Sequence, residues 1–262
     1  MDMPVGLLAG KTGLVVGIAN EKSIAAGCAK AFAAAGATLA VTYLNDKAKP
    51  HVDPVADAVG ADLLMPLDVE QDGQMEALFS AIEDRWGRLD FLLHSIAFSP
   101  KDDLHGRVVD SSREGFARAM DVSVHSFVRM GRLAEPLMKQ GGCLLTVSYY
   151  GAEKVVDHYN VMGPVKAALE ASVRYLAHEL GRRSIRVNAI SAGAVATRAA
   201  SGIEHFDELL NETVRKAPLR RTVDTCEVGR AALMLASDYT TAITGETLYV
   251  DAGFHIEGMV FH

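Results

Sequence analysis

The chain has 262 residues, 49% of them apolar and 23% charged, which excludes disordered, collagen-like and coiled-coil classes and leaves ample material for a core. Its 26 Lys and Arg stand against 33 Asp and Glu, a net charge of −7. An acidic chain has no long-range attraction for nucleic acid or anionic lipid, so neither is an expected partner.

Apolar strand-like runs alternate with helix-period segments. Residues 13–17 predict a first strand and 23–35 an Ala-rich helix. Residues 38–43 predict a second strand, with Gly36 ending the helix before it. A short helix at 52–59 precedes a third strand at 63–67, closed by Asp68. Met75, Leu78, Phe79 and Ile82 recur at helical spacing and predict a helix over 74–86. A buried strand follows at 91–95, then one long helix over 113–139. A strand at 144–148, a helix at 160–180 and a strand at 185–190 come next, then a helix at 227–237 and a strand at 247–250.

Short apolar strands alternating with helices predict right-handed βαβ units and a parallel sheet with both faces covered. The expected fold is α/β: one doubly wound Rossmann-type domain over 1–262 with a seven-stranded parallel sheet. No linker, repeat or low-complexity segment divides the chain. Residues 192–221 lack a strand and hold Gly193, Gly202 and Pro218; so long an excursion points to function. Cys28, Cys143 and Cys226 are odd in number and form no CxxC pair. They read as small buried hydrophobes, and no metal site is expected. The start lacks a signal-peptide pattern, and no uncharged run reaches the roughly 18 apolar residues that span a bilayer, so the expected location is cytoplasmic.

In an open parallel sheet, ligands bind beyond the carboxyl ends of the strands. Those ends are small or polar here: Gly17-Ile18-Ala19-Asn20, Asp68-Val69, Ser95-Ile96-Ala97, Ser148-Tyr149 and Ser191-Ala192-Gly193. The first turn is not GxGxxG. Gly17 follows the strand and Ser23 caps the next helix, where Ser23 and the Ile24 amide would meet a pyrophosphate. A bland strand–turn–helix would read the same. No cation directly follows Tyr43: Leu44 and Asn45 are neutral, Asp46 is acidic, and Lys47 is the nearest. A 2′-phosphate needs a basic clamp, so the expected cofactor is NAD, with NADH preferred over NADPH. Asp68 and Val69 would hold the adenine edge; Asp68 also reads as a helix N-cap.

Tyr159 and Lys166 lie seven apart on a predicted helix, which puts them on one face. A nearby ammonium would lower the phenol's pKa and let it donate a proton. Tyr149, just past the fifth strand, is placed to reach the same pocket. Without context such a pair reads as a surface contact.

The context is a set of motifs: Gly17-x5-Ser23-Ile24-Ala25, His94-Ser95-Ile96-Ala97-Phe98, Ser148-Tyr149-Tyr150-Gly151-Ala152, Tyr159-Asn160-Val161-Met162-Gly163-x2-Lys166-Ala167 and Arg186-Val187-Asn188-Ala189-Ile190-Ser191-Ala192-Gly193. With these the chain resembles the short-chain dehydrogenase/reductase superfamily, from the first strand to Phe254. More narrowly it resembles the divergent, NADH-dependent type I bacterial enoyl-[acyl-carrier-protein] reductases. The broader superfamily uses Tyr-x3-Lys; the Tyr-x6-Lys spacing here marks the divergent branch.

The resemblance implies hydride transfer to the β-carbon of a trans-2-enoyl thioester in fatty-acid biosynthesis. Tyr159 would stabilise the enolate, Lys166 would hold the nicotinamide ribose, and Tyr149 would orient the acyl group or relay protons. It implies cofactor contacts at Gly17, Ser23, Ile24, Leu44, Asp68, Val69, Ser95, Ile96, Val195, Ala196 and Thr197. Ser99 would lie at the substrate mouth. Residues 192–221 would form a lid, with Ala199, Ile203 and Phe206 against the acyl chain. It also implies an acyl carrier protein as partner and a homotetramer paired through the helices at 113–139 and 160–180.

Three departures stand out. Ala194-Val195-Ala196-Thr197-Arg198 replaces the usual Pro-Ile-Arg-Thr-Leu. Pro164 falls in the catalytic helix, which a first turn tolerates. The lid edge carries Glu204, Asp207 and Glu208 where relatives place cations, so an acidic carrier would need Arg198, Arg215, Lys216, Arg220 or Arg221. The competing readings are a related reductase of another enoyl or carbonyl substrate and a catalytically silent NAD-binding protein.

Overall fold

A computed structural model describes residues 6–197 and 206–258. Seven strands form one parallel sheet in the order β3-β2-β1-β4-β5-β6-β7. They are β1 (Thr12–Val16), β2 (Thr38–Tyr43), β3 (Leu63–Pro66), β4 (Phe91–His94), β5 (Gly142–Ser148), β6 (Ile185–Ala192) and β7 (Thr247–Val250). The chain builds outward from β1 in one direction and from β4 in the other. That reversal leaves a crevice at the carboxyl ends of β1 and β4.

Helices cover both faces. α1 (Ile24–Ala34), α2 (Lys49–Ala58) and α9 (Thr225–Ala236) lie over one. α3 (Gln74–Trp86), α5 (Arg113–Met120), α6 (Ser126–Ala134) and α7 (Met162–Leu180) lie over the other. The strand pleat sorts the side chains with period two. In β4, Phe91 and Leu93 join the first core and Leu92 the second. α4 (Lys101–His105) and α8 (Phe206–Lys216) are additional helices; α8 falls in the 192–221 excursion, where a helical pair packed on the domain is the plain alternative to a lid.

The long helix expected over 113–139 does not form as one piece. α5 passes into a π-helical turn, Asp121–His125, before α6, and α6 ends at Ala134. Pro136 lacks the amide proton that another turn requires. The π-turn has its own partners. Ser123 Oγ accepts from the Phe98 amide at 3.0 Å, and Ser126 Oγ donates to the Val122 carbonyl at 2.7 Å. The Ser123 hydroxyl thereby anchors the loop after β4, and π-turns often sit at such functional places.

Two smaller expectations are corrected. Cys28 and Cys143 are buried, but Cys226 is exposed because the first turn of α9 turns it outward. Asp68 does not cap α3. Its carboxylate accepts from the Glu70 amide at 3.0 Å in a local turn, and the N-cap of α3 is Gly73. Among the described residues, no helix is long and apolar enough to cross a membrane.

Candidate active site

β1 ends against β4, and Gly17 makes that possible. Its φ is +101°, and a Cβ there would stand 2.1 Å from the Ser95 carbonyl oxygen. A side chain is therefore excluded at this turn, and the ends of β1 and β4 close up at the crevice. Ser23 is the N-cap of α1, its Oγ accepting from the Ala26 amide at 3.3 Å and donating to the Asn20 carbonyl at 2.7 Å. The capped helix end presents its first amides, Ile24 included, toward this turn.

The remaining expected cofactor contacts ring the same carboxyl edge. Leu44 follows β2 with 53% of its surface exposed, an apolar platform with no cation on it. Asp68 is half-buried and Val69 buried. The Val69 carbonyl accepts from Arg129 at 2.7 Å, which fixes that turn from α6. Ile96 is half-buried in the core under α3 to α7. Val195 is buried, Ala196 exposed and Thr197 half-buried, and the Thr197 amide bonds the Val195 carbonyl at 2.8 Å. Ser99 Oγ donates to the Pro100 carbonyl at 3.3 Å, at the start of α4. Ala199 and Ile203 lie outside the described residues, as does the side chain of Phe206.

Tyr159 does not stand on the helix with Lys166, contrary to the spacing argument. α7 starts at Met162, so Tyr159 sits in the turn before it, flanked by His158 at φ +63° and Asn160 at φ +45°. Asn160 Nδ2 donates to the Leu104 carbonyl at 2.7 Å, tying this turn to α4. Pro164 falls in the first turn of α7, where a missing amide costs nothing. The Tyr159 ring lies against Gly151, where a Cβ would come within 2.4 Å of it. The same ring meets that of Tyr149 edge to face, with ring centroids 4.7 Å apart.

Lys166 is 5% exposed, and its Nζ donates to the Val147 carbonyl at 2.7 Å. An ammonium carries three donors, so this leaves two for ligand hydroxyls in the crevice. Burial lowers its pKa to about 8, opposed by the Glu170 carboxylate. The phenols move the other way. Burial, with Asp251 nearby, pushes Tyr149 up to about 12. Burial, then Tyr149 and Glu170, raises Tyr159 well above its ordinary value. The expectation of a lysine-lowered phenol is thus overturned, because desolvation outweighs any help from an ammonium. Tyr159 is a firmly neutral hydrogen-bond donor.

His94 is fully buried at the end of β4 and is a satisfied core histidine. Nδ1 meets Thr146 Oγ1 at 3.0 Å and Nε2 meets Ser126 Oγ at 2.8 Å. Ser126 spends its proton on Val122, so Nε2–H donates and Nδ1 accepts. Burial, then the charge of Lys166, lowers its pKa to about 3.

Sequence reasoning missed the Ser148 and Glu170 pair. Ser148 Oγ donates to Glu170 Oε1 beside Lys166. The i, i+4 spacing of Lys166 and Glu170 on a helix was the available signal. The cations proposed for carrier docking are engaged within the chain. Arg215 and Lys216 bond Glu212, Arg221 bonds Glu227, and Arg220 donates to the Arg215 carbonyl. Arg198 lies outside the described residues.

A family model described as enoyl-(acyl carrier protein) reductase matches residues 17–255. The chain is 53% identical over 259 residues to an enoyl-[acyl-carrier-protein] reductase [NADH] of Rhizobium meliloti (strain 1021), covering 99% of this chain and 95% of the relative. The crystal structure of the Anaplasma phagocytophilum enoyl-acyl carrier protein reductase in complex with NAD superposes with a TM-score of 0.94 at 50% identity, covering 98% of each chain. That of the NADH enzyme from Aquifex aeolicus VF5 gives a TM-score of 0.94 at 48% identity, covering 97% of this chain and all (100%) of that one.

Proposed function

The chain belongs to the enoyl-(acyl carrier protein) reductase family, and from that premise we propose that Tyr149, Tyr159 and Lys166 carry out NADH-dependent reduction of a trans-2-enoyl thioester in fatty-acid biosynthesis. The observation that carries the reading is the buried, neutral Tyr159 held edge-on by Tyr149, with Lys166 pinned to β5, the strand that Tyr149 follows.

The residues present fit a dinucleotide. Gly17 lets the ends of β1 and β4 meet closely at the crevice, α1 offers its capped amino end, and Lys166 keeps two donors for ribose hydroxyls. When bound, the reduced nicotinamide supplies the hydride that adds to the β-carbon. Ser23 and Ile24 would face the pyrophosphate, Leu44 the adenosine ribose, and Asp68 and Val69 the adenine. Ser95, Ile96 and the 195–197 segment would enclose the rest. The lack of a cation at Leu44 supports NADH over NADPH.

Negative charge builds on the thioester oxygen as the double bond is reduced. Tyr159 donates its O–H to that oxygen and stabilises the enolate. Its high pKa keeps the proton in place for that bond. Tyr149 sets the ring of Tyr159 and borders the acyl group. The lid expected over 192–221 includes residues 198–205, which lie outside the described residues, and Ser99 would stand at the substrate mouth.

The finer assignments belong to the same proposal: one working unit over 1–262, an acyl carrier protein as thioester partner, a homotetramer and a cytoplasmic location. Pairing would use the outer faces of α5 to α7. Exposed Tyr175 on α7 supports it, an aromatic ring 73% open to solvent. Following NADH oxidation with trans-2-enoyl thioesters and with ketones tests the reaction. Turnover of ketones alone would overturn it.

A further inference from the structure

Glu170 is a half-buried acid in the site for which the reaction above has no use. It stands one helical turn beyond Lys166 on α7, so their Cβ atoms lie roughly 5–6 Å apart on one face. Its Oε1 accepts from Ser148, the residue between Tyr149 and Val147, whose carbonyl holds Lys166. Glu170 also lines a cavity of about 470 Å³ beside α7, together with Ala167, Arg174, Gly245 and Glu246. That volume has room for several waters, and its walls offer them polar partners. A carboxyl group therefore stands between a cavity that can hold several waters and the buried lysine.

We propose that Glu170 is a proton-delivery residue, passing protons from this cavity to the Lys166 amine while Ser148 holds its carboxyl group in place. The inference rests on the reductase reading above. Reduction of the double bond consumes one proton at the α-carbon. Lys166 releases one N–H proton into the site, and its electron pair stays on Nζ. The Glu170 O–H bond then breaks and a new N–H bond forms through a bridging water. The carboxylate recovers its proton from cavity water, so each turnover draws one proton from solvent and leaves every side chain as it began.

The electrostatics fit a group that must both take and give. Burial raises the carboxyl, and Ser148, Arg174 and Lys166 pull it back down, with Glu153 opposing them. Tyr159 and Tyr249 also face it, Tyr249 donating to Glu153 at 2.6 Å, and Glu246 lines the cavity. Burial lowers Lys166 to about 8, so its ammonium gives up a proton readily near neutral pH.

Glu170→Gln tests this in the full-length protein, because the amide oxygen still accepts from Ser148. The variant should bind NADH as the unaltered protein does, read by cofactor fluorescence, and melt at the same temperature. Its kcat on a crotonyl thioester should fall about tenfold, at the low end for loss of a proton-transfer group. The solvent deuterium isotope effect on kcat should rise, and added formate should restore part of the rate. An unchanged kcat and isotope effect overturns the proposal. So does a rate loss that tracks lost NADH binding or lost stability, which would mark Glu170 as structural. If the unaltered protein fails to reduce any enoyl thioester, the reductase reading itself falls instead.

Discussion

Tyr149 and Tyr159 meet edge to face, with centroids 4.7 Å apart and an interplanar angle of 62°, although one follows β5 and the other precedes α7. The contact fixes the ring of a phenol that is only 8% exposed. Such an edge-on pair contributes about 0.5–1.5 kcal/mol beyond its buried area.

The hydroxyl and the ring of Tyr159 are thus separable. Tyr159→Phe keeps the packing on Tyr149 and Gly151 and removes only the donor. It should lower kcat by about 10²–10³ with little change in melting temperature, as loss of one oxyanion donor does. Tyr149→Phe should cost less, because its ring contact survives. Steady-state NADH oxidation alongside thermal melts checks both. Near-normal turnover in Tyr159→Phe would remove it from the chemistry.

Much of this was legible in the residues. The strands at 38–43 and 247–250 and the helix at 74–86 lie where their apolar periods place them. The motif positions at Gly17, Ser23 and Lys166 all fall at the carboxyl edge or the helix flanking it. The failures share a physical cause. A period shows which residues can be buried but not where backbone geometry changes. Hence the π-turn at Asp121–His125 was invisible, whereas Pro136 was a stop signal already in the sequence. Tyr159 left the helix because His158 and Asn160 on either side of it adopt left-handed conformations, which, glycine aside, His, Asn and Asp tolerate best. The phenol's raised pKa depended on burial, which spacing does not report.

His94 should set part of the acid limb of stability. Its folded pKa of about 3 lies below the ordinary value of 6.5. The native state thus holds it neutral while the unfolded chain takes up a proton. Its stabilising contribution is complete above pH 6.5 and is lost as pH falls toward 3. His94→Gln does not titrate. Urea unfolding at several pH values should show the unaltered protein losing roughly 3–5 kcal/mol relative to the variant across that window. Parallel curves would contradict the buried, neutral imidazole.

Gly17 should tolerate no side chain. Gly17→Ala places a Cβ 2.1 Å from the Ser95 carbonyl and forces an alanine to φ +101°. The backbone conformation alone costs about 1–3 kcal/mol. Separating β1 from β4 to relieve the clash would distort the cofactor crevice. The variant should melt lower and lose NADH affinity together, as read by thermal melts and fluorescence titration. Unaltered NADH affinity would place the cofactor elsewhere.

Lys166 should behave as a buried cation that the fold tolerates for the sake of the site. Its pKa of about 8 lies below the ordinary 10.5. Below pH 8 both folded and unfolded chains carry the charge, and burying it costs stability. Between pH 8 and 10.5 the folded state is neutral while the unfolded chain still binds the proton, so that cost is relieved as pH rises. Lys166→Met fills similar space without a charge. It should be the more stable protein at neutral pH, and the unaltered protein should gain on it by up to roughly 3 kcal/mol as pH rises to 10.5. The same variant should lose NADH binding, because the donors for the ribose hydroxyls are gone. Stability gained together with cofactor lost is the signature of a residue kept for function. A variant that binds NADH normally would separate Lys166 from the cofactor.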